Sequence, residues 1–129
     1  MKRLATLAVA ALFCASALAQ SVFQVGGKTC TVTAASPAPT PVQCPGNSGT
    51  QTPQFILTNV SSTVDAWISW GQTAGAATAN ATIPTATTQF GYYLLRGTQI
   101  TVSAPPNSFF TGTTGSSTAV VYITPGTGQ

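Results

Sequence analysis

The stretch from Gln54 to Gly71, Gln-Phe-Ile-Leu-Thr-Asn-Val-Ser-Ser-Thr-Val-Asp-Ala-Trp-Ile-Ser-Trp-Gly, limits the fold more than any other part of the chain. In its second half Val64, Ala66, Ile68 and Trp70 fall on one side and Asp65, Trp67 and Ser69 on the other, the period-two pattern of a half-buried strand. Two β-rich runs, Gln54 to Val60 and Thr63 to Trp70, flank a short Asn/Ser segment, which predicts an antiparallel pair joined by a tight connection. That pair holds both tryptophans and the only acidic residue.

The rest of the chain reads the same way. Val22 to Val25, a Gly26-Gly27-Lys28 turn and Thr29 to Thr33 predict a hairpin, with the glycines supplying the turn. Three prolines in Ser36 to Pro41 forbid ladder hydrogen bonding, so a Pro-rich connection is expected at 36–45, followed by a turn-rich loop at Pro45 to Gly49. The run Thr73 to Thr82 is poor in large apolar groups, and Gly75 with the Thr and Asn interruptions argues against a helix there. Thr88 to Leu95 predicts an aromatic strand, turned at Arg96-Gly97 and returned by Gln99 to Ser103. Ser108 to Thr111 and Thr118 to Thr124 predict two more strands, the last stopped by Pro125-Gly126. About eight short, evenly spaced strands point to an all-β protein: a single antiparallel β-sandwich or jelly-roll-like domain over 21–129. A chain of 129 residues is sized for one such core.

Residues 1–20 have the layout of an export signal. Lys2 and Arg3 precede an apolar stretch, Leu4 to Leu18, that ends in the small-x-small pattern Ala17-Leu18-Ala19 before Gln20. The apolar run is short for a membrane span, so the membrane enters only through export, with cleavage expected near Ala19. No small residue precedes Cys14 in Leu12-Phe13-Cys14, which excludes lipidation there.

Charge narrows the chemistry. Only 4% of the residues are charged. Two of the positive charges, Lys2 and Arg3, sit in the leader, and the remainder keeps Lys28, Arg96 and Asp65. No basic patch is present for a nucleic-acid backbone, so no nucleic-acid partner is expected. The chain has no His and no Glu, and Asp65 alone cannot assemble a nucleophile, a base and an orienting group. No catalytic residue, metal site or cofactor is therefore expected, and Asp65 reads as a solvated or hydrogen-bonded residue early in a strand. Two sequons, Asn59-Val60-Ser61 and Asn80-Ala81-Thr82, are of a kind that recurs by chance in a Ser/Thr-rich chain, and no function is attached to them.

Two sets of residues remain as candidates. If the leader is removed, Cys30 and Cys44 remain as an even pair, compatible with a disulfide in an oxidising compartment and equally with two small apolar side chains in a reducing one. Trp67, Tyr92, Tyr93, Phe109 and Phe110 are candidates for a subunit interface, with core packing and sugar stacking as the competing uses of such rings.

Phe55-Ile56-Leu57-Thr58-Asn59-Val60-Ser61, then Val64-Asp65-Ala66-Trp67-Ile68-Ser69-Trp70-Gly71, with a Thr/Ala-rich connection after it, resembles small structural proteins of tailed bacteriophages. The closing Thr118-Ala119-Val120-Val121-Tyr122-Ile123-Thr124-Pro125-Gly126-Thr127-Gly128 is similar to their C-terminal strand and Gly-rich tail. The resemblance covers Ser21 to Gln129 loosely and implies a β-sandwich that decorates or cements the capsid or sits elsewhere in the particle. It further implies partners among virion proteins, above all the major capsid protein, and copies of the chain itself, with no catalytic residue. Beside the resemblance, the Pro37 to Pro41 segment and the Gly-rich tail are candidates for arms that reach a partner. The leader departs from that pattern, since capsid proteins assemble in the cytoplasm, and it leaves an exported surface or periplasmic β-sandwich, binding a ligand such as a carbohydrate or forming a filament, as the alternative.

Overall fold

The computed structural model describes residues 23–46, 52–85 and 91–128. The leader-like segment 1–20, the loop at 47–51 and the first part of the aromatic run, 86–90, lie outside them.

The described chain is all-β, with one short helix. Its elements are β1 (Gln24–Val25), β2 (Cys30–Ala34), β3 (Val42–Gln43), β4 (Thr52–Asn59), β5 (Ala66–Gly71), α1 (Ala74–Ala79), β6 (Tyr92–Leu94), β7 (Gln99–Ser103), β8 (Phe109–Thr113) and β9 (Ala119–Gly128). The strands form one nearly closed sheet in the order β6-β5-β8-β2-β9-β4-β7, with β1 also beside β9 and β3 beside β8. Every pairing is antiparallel except the single parallel contact of β2 with β8 at Ala34 and Gly112.

Alternation builds the core. Val32 and Ala34, Phe55 and Leu57, Ala66 and Ile68, and Val121 and Ile123 are buried at every second position of their strands. Phe55 on β4 and Phe110 on β8 meet with ring centroids 5.0 Å apart at an interplanar angle of 59°, a tilted contact that joins two strands not paired in the ladder. Each ring is fully buried.

The expected hairpins are the main correction. Gln54–Val60 and Thr63–Trp70 do form strands, but β4 pairs with β7 and β9 while β5 pairs with β6 and β8. The Asn/Ser segment carries the chain between separate parts of the sheet instead of folding it back. Likewise β1 pairs with β9 and not with β2, and β6 and β7 lie at opposite ends of the strand order.

Asn59 fastens the crossing between β4 and β5. Its buried amide nitrogen donates to the carbonyls of Val64 (2.9 Å) and Leu94 (3.2 Å), and its oxygen accepts from the Ser61 N–H (3.0 Å). One side chain thus ties the end of β4 to the approach to β5 and to β6.

Two further expectations fail for local reasons. Ala74–Ala79 is a helix despite Gly75, because Thr73 caps it by accepting from the Ala76 N–H (3.1 Å), and four of its six residues are alanine. The helix lies on Gly71, where a Cβ would meet the Ala77 nitrogen at 2.5 Å, so only glycine lets it approach. Strand β9 runs through Pro125-Gly126 to Gly128, with the Pro125 carbonyl accepting from the Gly26 N–H (2.9 Å). Accordingly the described part of the Gly-rich tail is interior sheet and not a free arm. The Pro-rich connection is also held down, since Thr111 Oγ1 donates to the Pro39 carbonyl at 2.7 Å.

Candidate functional site

Three surfaces bring together side chains capable of recognition. The first is the aromatic corner on β5 and β6. Trp67 and Tyr93 are directly opposed in the ladder, and their rings stack with centroids 4.9 Å apart. Tyr93 remains 48% exposed. Its hydroxyl donates to Asp65 Oδ2 (3.0 Å), while Asp65 Oδ1 accepts from the Arg96 N–H (2.9 Å) and pairs with Arg96 Nε (3.2 Å). The Arg96 backbone N–H, aided by Tyr93 and the guanidinium, holds the Asp65 carboxyl below its usual range. The hydrogen bond to Asp65, together with some desolvation, pushes the Tyr93 phenol up. Both carboxylate oxygens are thereby engaged in closing the β5–β6 corner, which selects the hydrogen-bonded alternative for Asp65 and places it just before β5.

The second is a cleft of about 590 Å³ where the end of β5, α1 and the start of β6 meet. Trp70 and Tyr92 supply its aromatic surface and Gln72 and Asn80 its amides. Asn80 Nδ2 donates to the Trp70 carbonyl (3.0 Å) and Ser69 Oγ to the Ala77 carbonyl (3.3 Å), so much of the polar lining also braces the helix against β5. None of the lining residues described is charged. Such a lining suits a neutral, hydroxyl-rich ligand that stacks on a ring and offers hydrogen bonds at its rim.

The third is the outer face of β2, β9, β4 and β7. Thr31, Tyr122, Thr58 and Gln99 are in register across all four strands, and Thr124, Ile56 and Thr101 form a parallel row across three. Val120, opposite Thr33, is 38% exposed and Tyr122 is 44% exposed. The rows contain no charged side chain.

The candidate residues from the sequence divide among these places. Tyr93 is exposed on the corner, Trp67 is half-buried beneath it, and Tyr92 is half-buried in the cleft wall. Phe110 is fully buried against Phe55, so it is a core residue and not part of an interface; Phe109, the next residue on β8, points the other way and is half-buried. Cys30 Sγ lies 3.8 Å from the carbonyl of Gln43, the residue before Cys44, and both cysteines are free thiols. Asn59 and Asn80, the two sequon asparagines, spend their amide nitrogens on backbone carbonyls. The outer-face rows and the cleft were missed by sequence reasoning. The Thr31-x-Thr33 and Val120-x-Tyr122 spacings signal exposed positions on two strands, but only the register sets them side by side.

Among the described residues no group of three or more His, Cys, Asp or Glu could hold a metal ion, and no helix is long and apolar enough to cross a membrane. Comparison of the chain with protein-family models, with curated proteins and with solved structures gives no match.

Proposed function

We propose that the protein is a non-enzymatic structural subunit of a tailed-bacteriophage particle, a capsid decoration or cement protein that seats its β2-β9-β4-β7 outer face on the shell. The observation that carries this reading is the uncharged row Thr31-Tyr122-Thr58-Gln99, flanked by exposed Val120. Interface centres are depleted of charge and enriched in tyrosine, and an uncharged face meets a protein shell without desolvating ions. The very low charge of the chain also removes long-range repulsion between copies crowded on one surface. The sequence resemblance to phage structural proteins supports the same reading, and the aromatic corner of Trp67 and Tyr93 offers a second contact for a neighbouring copy.

Purified particles test this. The protein is expected to sediment with them at fixed stoichiometry, and Tyr122→Asp or Val120→Lys, both at exposed strand positions, is expected to release it while circular dichroism stays unchanged. Undiminished recovery of both variants with particles, or absence of the parent protein from particles, refutes the reading.

The cleft favours the second reading, an exported β-sandwich that binds a neutral ligand such as a carbohydrate. Its signature is a change in tryptophan fluorescence on titration with soluble neutral oligosaccharides that Gln72→Ala weakens, together with recovery of the chain outside the cytoplasm starting at Gln20 or Ser21.

A further inference from the structure

Cys30 and Cys44 lie far enough apart in sequence for their meeting to be a property of the fold. Cys30 opens β2 opposite Ile123, on the inward side shared with Val32 and Ala34, and is half-exposed at the rim of the core. Cys44 follows β3 directly. Its backbone N–H donates to the Ser108 carbonyl at 2.9 Å, and its side chain is fully buried. Cys30 Sγ lies 3.8 Å from the carbonyl of Gln43, the residue before Cys44, and 4.0 Å from that of Lys28. The Cys30 thiol therefore sits against the peptide that leads into Cys44, and both cysteines are free thiols. The segment between them is pinned midway by the bond from Thr111 to Pro39.

We infer that Cys30 and Cys44 are a cross-linking site, which a disulfide oxidant converts into an intramolecular disulfide tying the Pro-rich connection to β2. The Cys30 thiol already lies beside the peptide that leads into Cys44, so closure draws on a contact between β2 and the Pro-rich connection that the folded chain has made. The step balances as thiol–disulfide exchange. The half-exposed Cys30, as thiolate, attacks a sulfur of the oxidant, and one oxidant thiolate leaves. Cys44 then gives up its proton, attacks Cys30 Sγ and expels the second oxidant thiolate. Two protein thiols lose two electrons and two protons, and the oxidant disulfide takes them up as two thiols. Burial pushes the Cys44 thiol well above the usual range, and the neighbouring Cys30 sulfur adds to this. The second step is therefore the slow one, and it speeds up with pH. This inference does not depend on the assembly reading, because it concerns the isolated chain.

The test treats the folded chain, carrying Cys14→Ser so that the leader cysteine cannot compete, with oxidised glutathione. Non-reducing mass analysis is expected to show first a glutathione adduct on Cys30, then loss of the adduct with a cross-link joining the peptides of Cys30 and Cys44. Conversion is expected to quicken as pH rises. Closing a loop of about 15 residues is expected to raise the folded-to-unfolded ratio about a hundredfold over the reduced protein in urea titrations. Cys44→Ser should stop at the adduct, and Cys30→Ser should give neither product in the folded state. The inference is overturned if both thiols stay alkylatable after oxidant treatment, or if the Cys30 adduct persists at alkaline pH. An oxidised form no more stable than the reduced one removes the role assigned to the cross-link.

Discussion

Replacing Asn59 by aspartate exchanges a double hydrogen-bond donor for a group that, when ionised, can only accept. Two carbonyls, those of Val64 and Leu94, face the position at 2.9 and 3.2 Å, and the side chain is fully buried. As the neutral acid, the new side chain can satisfy one carbonyl and leaves the other bare, a loss of about 2–3 kcal/mol. As the carboxylate it satisfies neither and is also desolvated, so its folded-state pKa rises above the value near 4 of the unfolded chain. A raised folded pKa means that the variant is least impaired below about pH 4 and loses stability as pH rises, by about 1.4 kcal/mol per unit until the folded pKa is passed. By pH 7 the total reaches roughly 5–7 kcal/mol, comparable with the whole stability of many domains. Asn59→Ala removes the same donors without introducing a charge and should lose about 3–4 kcal/mol at every pH. Urea titrations of the parent and both variants at several pH values from 4 to 7, followed by tryptophan fluorescence, measure the difference. A penalty for Asn59→Asp that is flat with pH, or below about 1 kcal/mol at pH 7, refutes the assignment of Asn59 as the fastening between β4, β5 and β6.

Phe110→Ala should destabilise by about 3–5 kcal/mol in urea titration, since its ring is fully buried against Phe55, whereas Tyr93→Ala at the half-exposed corner should change stability far less. Near-equal losses would contradict the division between core and surface rings. Asp65 has its folded pKa lowered, so its contribution is present above the unfolded value near 4 and is lost as pH falls through and below it. Asp65→Asn should therefore flatten the acid limb of the thermal-melting profile, and an unchanged limb would show that another group governs it.

The strand content was legible because alternation is a local property: Ala66 and Ile68 face inward while Trp67 does not, as their spacing requires. Pairing was not legible. A short Asn/Ser segment looks the same whether it returns a strand beside its neighbour or carries it elsewhere in the sheet, and the decision rests with Asn59, whose partners lie 5 and 35 residues away. Adjacent Phe109 and Phe110 must face opposite ways, but which of them faces inward depends on the orientation of β8. The pairing of Cys30 with Cys44 could be raised from the even pair that remains once the leader is set aside, while the approach of Cys30 to the peptide before Cys44 depended on β3 docking against β8. The cleft was hidden because α1 was not expected, and without it Gln72 and Asn80 have no common wall.

Strand β9 has consequences for how the chain acquires its shape. It pairs with β1, β2 and β4, which come from the first half of the described chain, and it occupies the interior of the strand order. A nascent chain that has not yet released Ala119–Gly128 holds β2 and β4 with open edges and no partner to close them. Completion of the sheet must wait for that segment, which makes it a long-range event of folding. Until that segment is in place the interior edges of β2 and β4 can pair with another chain, so loosening β9 is expected to show as aggregation and not as local fraying.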